Sequence, residues 1–451
     1  MVTDVQPGVG IPAFGSQRRL MSRGTVDADG YLVHHAGAPV WELLHLRGNL
    51  DVSVLAAAVG MLTSAIDSFH LRLQDTGSGP IVQWREPEPL PLEVYQASTL
   101  FNDGRLDART VEQVRPLLFT HPNLRTGPLA RFAVVSAGRD DHLLAVSIDH
   151  VIADGWSLGL LQRRLARCYR ALLRADANAV PRAVAGTTFR EFLESVPPAA
   201  EQTDDWSALL AEYPLPGPVF RPPGGVAKDP GQCRIDGAMA VDLPSAARSD
   251  LDTLAAAYKV TGPQLLAAVT CALATLWSDG PQPIFQHRHG RYRRSDISVI
   301  GPLVEVCLGL PPARDLPLGA WIADYLARNP IRPLYGRSLW DSGHFAPRYV
   351  GFNVAPPARA VRFAPGVDAV PVSGDALDPM WAEGIGSFHS YAVFWVHYYL
   401  DEAETLRLMV KYDTELLPRP EAAAEAVTAI LAAAASPDQP TLADLRTALY
   451  G

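Results

Sequence analysis

Ser147-Ile148-Asp149-His150-Val151-Ile152-Ala153-Asp154-Gly155-Trp156-Ser157-Leu158 is the stretch on which the reading of this chain turns. An apolar, β-branched run, residues 142–149 (HLLAVSID), enters it and an amphipathic helix leaves it. That helix is predicted from about Ser157 to Arg174, with Leu158, Leu161, Leu165, Cys168, Tyr169 and Leu172 on its apolar face and arginines opposite. Polar residues thus gather where a buried strand stops, on support rigid enough to hold a reacting group. A histidine there, His150, is either a satisfied structural residue or a catalyst. Its imidazole titrates near neutrality and can accept a proton from a nucleophile.

Working outward, residues 129–136 (LARFAVVS) read as the preceding strand, joined by the polar turn Ala137-Gly138-Arg139-Asp140-Asp141. Further back, Leu50, Val54, Leu55, Ala58, Leu62 and Ile66 recur at helical spacing, and Asp51 is placed to cap that helix. Residues 176–231 change character: short amphipathic pieces (Phe189–Val196, Trp206–Tyr213) and a Pro/Gly-rich run from Pro214 to Pro230 read as a crossover. Beyond it, strands are expected at Met239–Leu243, Ile284–His287, Tyr349–Val354, Ser390–Tyr399 and Leu406–Tyr412. Helices are expected at Ala246–Tyr258, Pro263–Trp277 and Glu421–Ala435. Strands and helices alternate in both halves, so the class is mixed α/β. At 451 residues the chain suits two lobes, set at 1–178 and 179–451.

Charged residues make up 19% and the net charge is −9, with only three lysines, Lys228, Lys259 and Lys411. A negative field repels phosphate backbones and anionic headgroups, which argues against nucleic-acid or membrane binding. The one basic run, His287-Arg288-His289-Gly290-Arg291-Tyr292-Arg293-Arg294, is either a solvated loop or a contact for a phosphate on a carried substrate. Cys168, Cys233, Cys271 and Cys307 are scattered without a CxxC pair, which fits a reducing compartment and offers no metal site. Residues 1–12 lack a basic start followed by an apolar run, and Leu265–Trp277 and Ala429–Ala435 are too short to span a bilayer. A cytoplasmic location is expected.

Asp149–Gly155 resembles the HHxxxDG signature of the condensation domains of nonribosomal peptide synthesis and the chloramphenicol-acetyltransferase superfamily. Gly127–Arg131 resembles the GPLLR element, Ser16–Leu20 the opening SxAQxRL motif, and Leu46–Asp51 the LRGxLD element. Gly290-Arg291 with Ile300-Gly301 and Val304 resembles GR…IGxFVN. Tyr349–Asn353 and Leu408–Leu416 resemble the later strand motifs, all in family order. The resemblance implies two acetyltransferase-like lobes in a V-shaped pseudodimer with a tunnel between them and His150 midway along it. It implies an acyl donor held as a thioester on phosphopantetheine (a carrier protein or coenzyme A), and an amine or alcohol acceptor, small or carrier-bound, arriving from the other face. No tightly bound cofactor and no metal are implied.

In those terms His150 orients or deprotonates the acceptor, and Gly155 lets the backbone approach the thioester and its N–H help an oxyanion. Gly155 reads equally as a tight turn before the helix. Asp154 and Arg291 are expected to pair structurally across the lobes, and Trp156, Ser157 and Asn353 to line the substrate channel. The first motif histidine is replaced by Asp149, which strand alternation turns away from His150 and makes structural. That substitution also creates Asp149-x4-Asp154-x2-Ser157, similar to the DxxxxDxxS motif of heterocyclization domains, although the AYxxGR-like element of those domains is missing. The expected activity is a free-standing, condensation-type acyl transfer forming an amide or ester. The alternatives are heterocyclization and a catalytically silent module that docks carrier proteins. No carrier-protein serine motif or adenylation signature occurs in the sequence, so donor and acceptor are expected from acyl or peptidyl carrier proteins or as small molecules.

Overall fold

A computed structural model describes residues 10–22, 24–35, 39–120, 122–176, 179–196, 219–228, 233–335, 349–355, 360–372, 374–377, 388–389, 392–400, 405–438 and 440–451. The expected helix at Trp206–Tyr213 lies outside them. In the first half the main elements are β1 (Val40–Arg47), α1 (Val52–Ala65), β2 (Leu92–Gln96), α2 (Ala108–Phe119), β3 (Ala130–Ser136), β4 (Asp141–Ile148) and α3 (Gly155–Leu173). The second half supplies β5 (Gly237–Asp242), α4 (Ser245–Tyr258), α5 (Gly262–Leu276), β6 (Ile284–Arg288), β7 (Glu305–Gly309) and α6 (Leu318–Arg328). It continues with β8 (Tyr349–Ala355), β9 (Val361–Ala364), β10 (Val367–Pro371), β11 (Ala392–Leu400), β12 (Leu406–Tyr412) and α7 (Glu421–Ala435).

Two six-stranded sheets form, ordered β9-β10-β1-β4-β3-β2 in the first lobe and β5-β12-β11-β8-β6-β7 in the second. The first is antiparallel except where β2 joins β3, while the second has a parallel centre, β6-β8-β11. Period-two alternation explains why β4 reads as one apolar run. Leu144 and Val146 face α1 and α3, whereas Leu143 and Ala145 face Val111, Val114, Leu117 and Leu118 near or on α2. α3 buries Leu158, Leu161, Leu165, Cys168 and Tyr169, the face its spacing predicts. Full burial of each Leu or Tyr of this kind is worth on the order of 1.5–3 kcal/mol. In the second lobe α4, α5, α6 and α7 cover Val350, Phe352, Phe394, Val396, Tyr398, Leu408 and Val410. All four cysteines are buried.

The two cores are interleaved along the chain. Phe189, Phe192 and Leu193, beyond the 178/179 division, bury in the first core, as do Val299, Ile300 and Leu303. The hairpin β9–β10 also crosses over, pairing Asp368 with Arg47 and Ala369 with Leu46 on β1. Gly48, at φ 117°, permits that crossing, because a Cβ there would lie 1.8 Å from the Gly366 carbonyl oxygen. Among the described residues no single helix is long and apolar enough to cross a membrane.

Candidate active site

β4 stops at Ile148, one residue short of the expected end, because Asp149 folds its own side chain into a turn. Asp149 Oδ1 accepts from the Val151 N–H at 2.9 Å, and the Asp149 carbonyl accepts from Ile152 N–H at 3.1 Å. The alternation argument that separated Asp149 from His150 therefore does not apply to them. Their side chains diverge for another reason. Asp149 Oδ1 also accepts from His35 Nε2–H at 2.8 Å, both groups being buried, while His150 Nδ1 lies 3.2 Å from the Ala153 carbonyl oxygen. A carbonyl only accepts, so Nδ1 carries the proton and Nε2 keeps its lone pair. Burial pushes the His150 pKa below 6.5; Asp149 and Asp154 pull it up, and Arg19 and His35 push it down. The ring is thereby held as a neutral base.

The opening helix Gly15–Ser22 braces this turn. Gln17, fully buried, donates from Nε2 to the Val151 carbonyl at 2.9 Å, and Ser16 Oγ donates to the Pro302 carbonyl. His35 carried no motif and was missed by sequence reasoning; only its partnership with Asp149 reveals it.

Asp154 caps α3 and clasps the lobes. Its Oδ1 accepts from Ser157 N–H (3.0 Å), Ser157 Oγ–H (2.9 Å) and Arg291 Nη2–H (3.0 Å). Its Oδ2 accepts from Arg291 Nη1–H (2.8 Å) and Leu303 N–H (3.0 Å). Arg291 also donates to the carbonyls of His289, Val299 and Gly301, so the whole loop between β6 and β7 closes around this bidentate pair. The expected Asp154–Arg291 contact is thus present in the geometry. Ser157, expected at the channel, is fully buried inside the clasp and bonds the Gly301 carbonyl. Two arginines of the basic run are committed to structural contacts, Arg291 here and Arg293 on Asp296 and the Ser195 carbonyl, while Arg294 is exposed.

Gly155 opens α3 in ordinary helical backbone, exposed, and a Cβ there would meet nothing within 4 Å. The first-turn N–H groups of an α-helix have no intrahelical acceptor, so a partial positive charge stands at this point. Trp156 donates from Nε1 to the Ile297 carbonyl at 3.2 Å, and its ring centroid lies 5.6 Å from that of His289. Asn353 sits on β8 opposite His397 on β11, on the sheet face turned away from the helices. That face also carries His287, whose pKa burial lowers to about 3, with Arg19 and His150 pushing the same way. His287 is therefore in electrostatic reach of His150.

The condensation-domain family model matches residues 40–305, and the chain belongs to the condensation-domain family. Cyclosporin synthetase simA of Tolypocladium inflatum is 28% identical over 220 residues, which cover 45% of this chain and 1% of that protein. Among solved structures, the first condensation domain of the calcium-dependent antibiotic synthetase, with a substrate analogue, superposes with a TM-score of 0.70 at 18% identity, covering 96% of this chain and 98% of the other. The X-domain from teicoplanin biosynthesis gives 0.71 at 16% identity, covering 98% of each. These likenesses establish the two-lobed, chloramphenicol-acetyltransferase-like fold. The chain spans 1% to 4% of the length of the first curated relatives it matches.

Proposed function

We propose that the protein transfers an acyl group from a phosphopantetheine thioester, on a carrier protein or coenzyme A, to an amine or alcohol. The product is an amide or ester, and the free thiol leaves. The observation that carries this reading is His150: neutral through burial, its Nδ1 proton committed to Ala153, its Nε2 left as the base. In this scheme Nε2 takes the proton of the attacking amine or hydroxyl and returns it to the departing thiolate. The first turn of α3 at Gly155 faces the developing oxyanion, and its open space is where the thioester passes. Asp154 and Arg291 position the turn and touch no reacting atom.

The test is incubation of the chain with acylated carrier protein or acyl-coenzyme A and a panel of amines and alcohols, products read by mass spectrometry. Parent protein gives an acceptor-plus-acyl product, and a folded His150→Ala protein gives at least ~100-fold less. Equal yield from the two would overturn the reading. A product from Cys, Ser or Thr lighter by a further water would instead assign heterocyclization.

A further inference from the structure

The segment from Gly155 to Arg190 concentrates charge of one sign. It holds seven arginines and a single carboxylate, Asp176, in a chain whose net charge is −9. Along α3 and its C-cap, Arg167, Arg170 and Arg174 recur at i, i+3 and i+7 and so share one face. With Arg182 and Ala183 of the short helix Ala179–Val184 they line an open cavity of about 200 Å³. Arg167 and Arg174 are exposed, and among the described residues neither guanidinium has an ion pair. Arg170 is fixed in place, its Nη1 donating to the carbonyls of Arg362 and Phe363 on β9.

Positive charge at a helix C-terminus is stabilising by itself, but that effect is confined to the last turn. Arg167 stands six residues before Leu173, outside that turn. Like charges three and four residues apart instead cost a helix stability unless something neutralises them. Burial pushes the Arg170 pKa down, and Arg174 and Arg167 push it the same way, with no carboxylate of the described residues offsetting them. Asp176 does not line the cavity, and Asp368 on the crossing hairpin lies 3.6 Å from Arg362. The cluster is short of an anion.

Its dimensions say which anion. Arg167 to Arg174 spans about 10 Å along the helix axis. That exceeds one phosphate or carboxylate and suits two or three phosphates in a row, whose oxygens match the planar guanidinium forks. The cavity is smaller than one turn of a partner helix. We infer that the cavity between α3 and Ala179–Val184 binds a small molecule bearing two or more linked phosphates, through Arg167, Arg170 and Arg174. It lies roughly 18–28 Å along α3 from Gly155, apart from the reacting centre. Two sources carry that chemistry: a free nucleotide, and coenzyme A, whose diphosphate anchors the far end of the pantetheine arm.

The experiment is calorimetric titration of the full chain at pH 7 in metal-free, low-salt buffer with pyrophosphate, phosphate and sulfate. Pyrophosphate is expected to bind tenfold or more tighter than the other two and to raise Tm. Arg167→Gln and Arg174→Gln should each weaken it about tenfold or more, the usual loss for a hydrogen bond to a charged group, while Arg314→Gln, an exposed arginine of the second lobe, should not. If the Gln pair does not fold, Arg167→Lys with Arg174→Lys replaces it; an ammonium cannot grip bidentately, so binding should still fall several-fold. Pyrophosphate no tighter than phosphate, binding unchanged in the folded variants, or an equal loss in Arg314→Gln overturns the proposal. ADP and coenzyme A then separate the sources: coenzyme A tenfold or more tighter assigns the site to the thioester donor, and equal or weaker affinity to a free nucleotide. Pyrophosphate binding in a protein that transfers no acyl group would refute the proposed function and leave this site standing. Acyl transfer without pyrophosphate binding would refute the site alone.

Discussion

Asp154→Ala removes a carboxylate that accepts five hydrogen bonds, two of them from Arg291, in a cluster where both side chains are almost wholly buried. The guanidinium then stays in place as a buried charge without its counter-ion, and the N–H groups of Ser157 and Leu303 lose their acceptor. Breaking a buried pair from one side costs about 3–5 kcal/mol, and loss of the helix cap adds about 1 kcal/mol. For a lobe of roughly 200 residues each kcal/mol lowers Tm by about 2–4 °C, so a fall on the order of 10 °C is expected. Thermal melting by circular dichroism or calorimetry reads it. Replacing both partners, Asp154→Leu with Arg291→Met, should recover only the part of the loss due to the unpaired guanidinium, because the Ser157 and Leu303 N–H groups still lack an acceptor and the carbonyls that Arg291 served lose their donor. If Asp154→Ala melts within about 2 °C of the parent, the clasp does not hold the lobes. If that variant is also inactive, Asp154 acts on the reacting atoms and the role given to it here is wrong.

With an alcohol acceptor, which does not titrate in this range, His150 should set the acid limb of the pH dependence of kcat/KM: with its pKa lowered by burial, activity falls only below pH 6.5 and is flat from pH 7 to 8. A midpoint above 6.5 in the rate profile would contradict a buried neutral base. Gly155→Ala should leave Tm unchanged, since a Cβ there meets nothing, yet lower kcat/KM about tenfold or more by obstructing the thioester; full activity would make Gly155 a mere helix start. Burial raises the Glu42 carboxyl pKa to about 7, among Leu44, Val146, Leu158 and Leu161 and beside Gln162. A raised folded pKa means its stabilisation is full below 4.5 and is lost as pH rises through 7. Glu42→Gln should therefore raise Tm relative to the parent at pH 8 and change it little at pH 5; an equal shift at both pH values would show that Glu42 does not titrate there.

Local periodicity determined much of this protein. Burial at helical spacing marked α1, α3, α4, α5 and α7, and apolar β-branched runs marked β3 and β4, because those patterns reflect a face that one element must bury by itself. The Asp154-Gly155 junction was legible too, since a capping aspartate and the helix it starts are neighbours in the chain. Contacts between distant segments were not. β9–β10 joins the first sheet 300 residues and more after it began, through a pairing that leaves no local signature. His35 became part of the site only when the fold set it 2.8 Å from Asp149 across 114 positions. His287, Asn353 and His397 come from three strands, and register alone aligned them on one face with the Trp395 indole between the imidazoles. Sequence records what each segment prefers to bury; which polar groups those segments then bring together is decided by the packing of the whole chain.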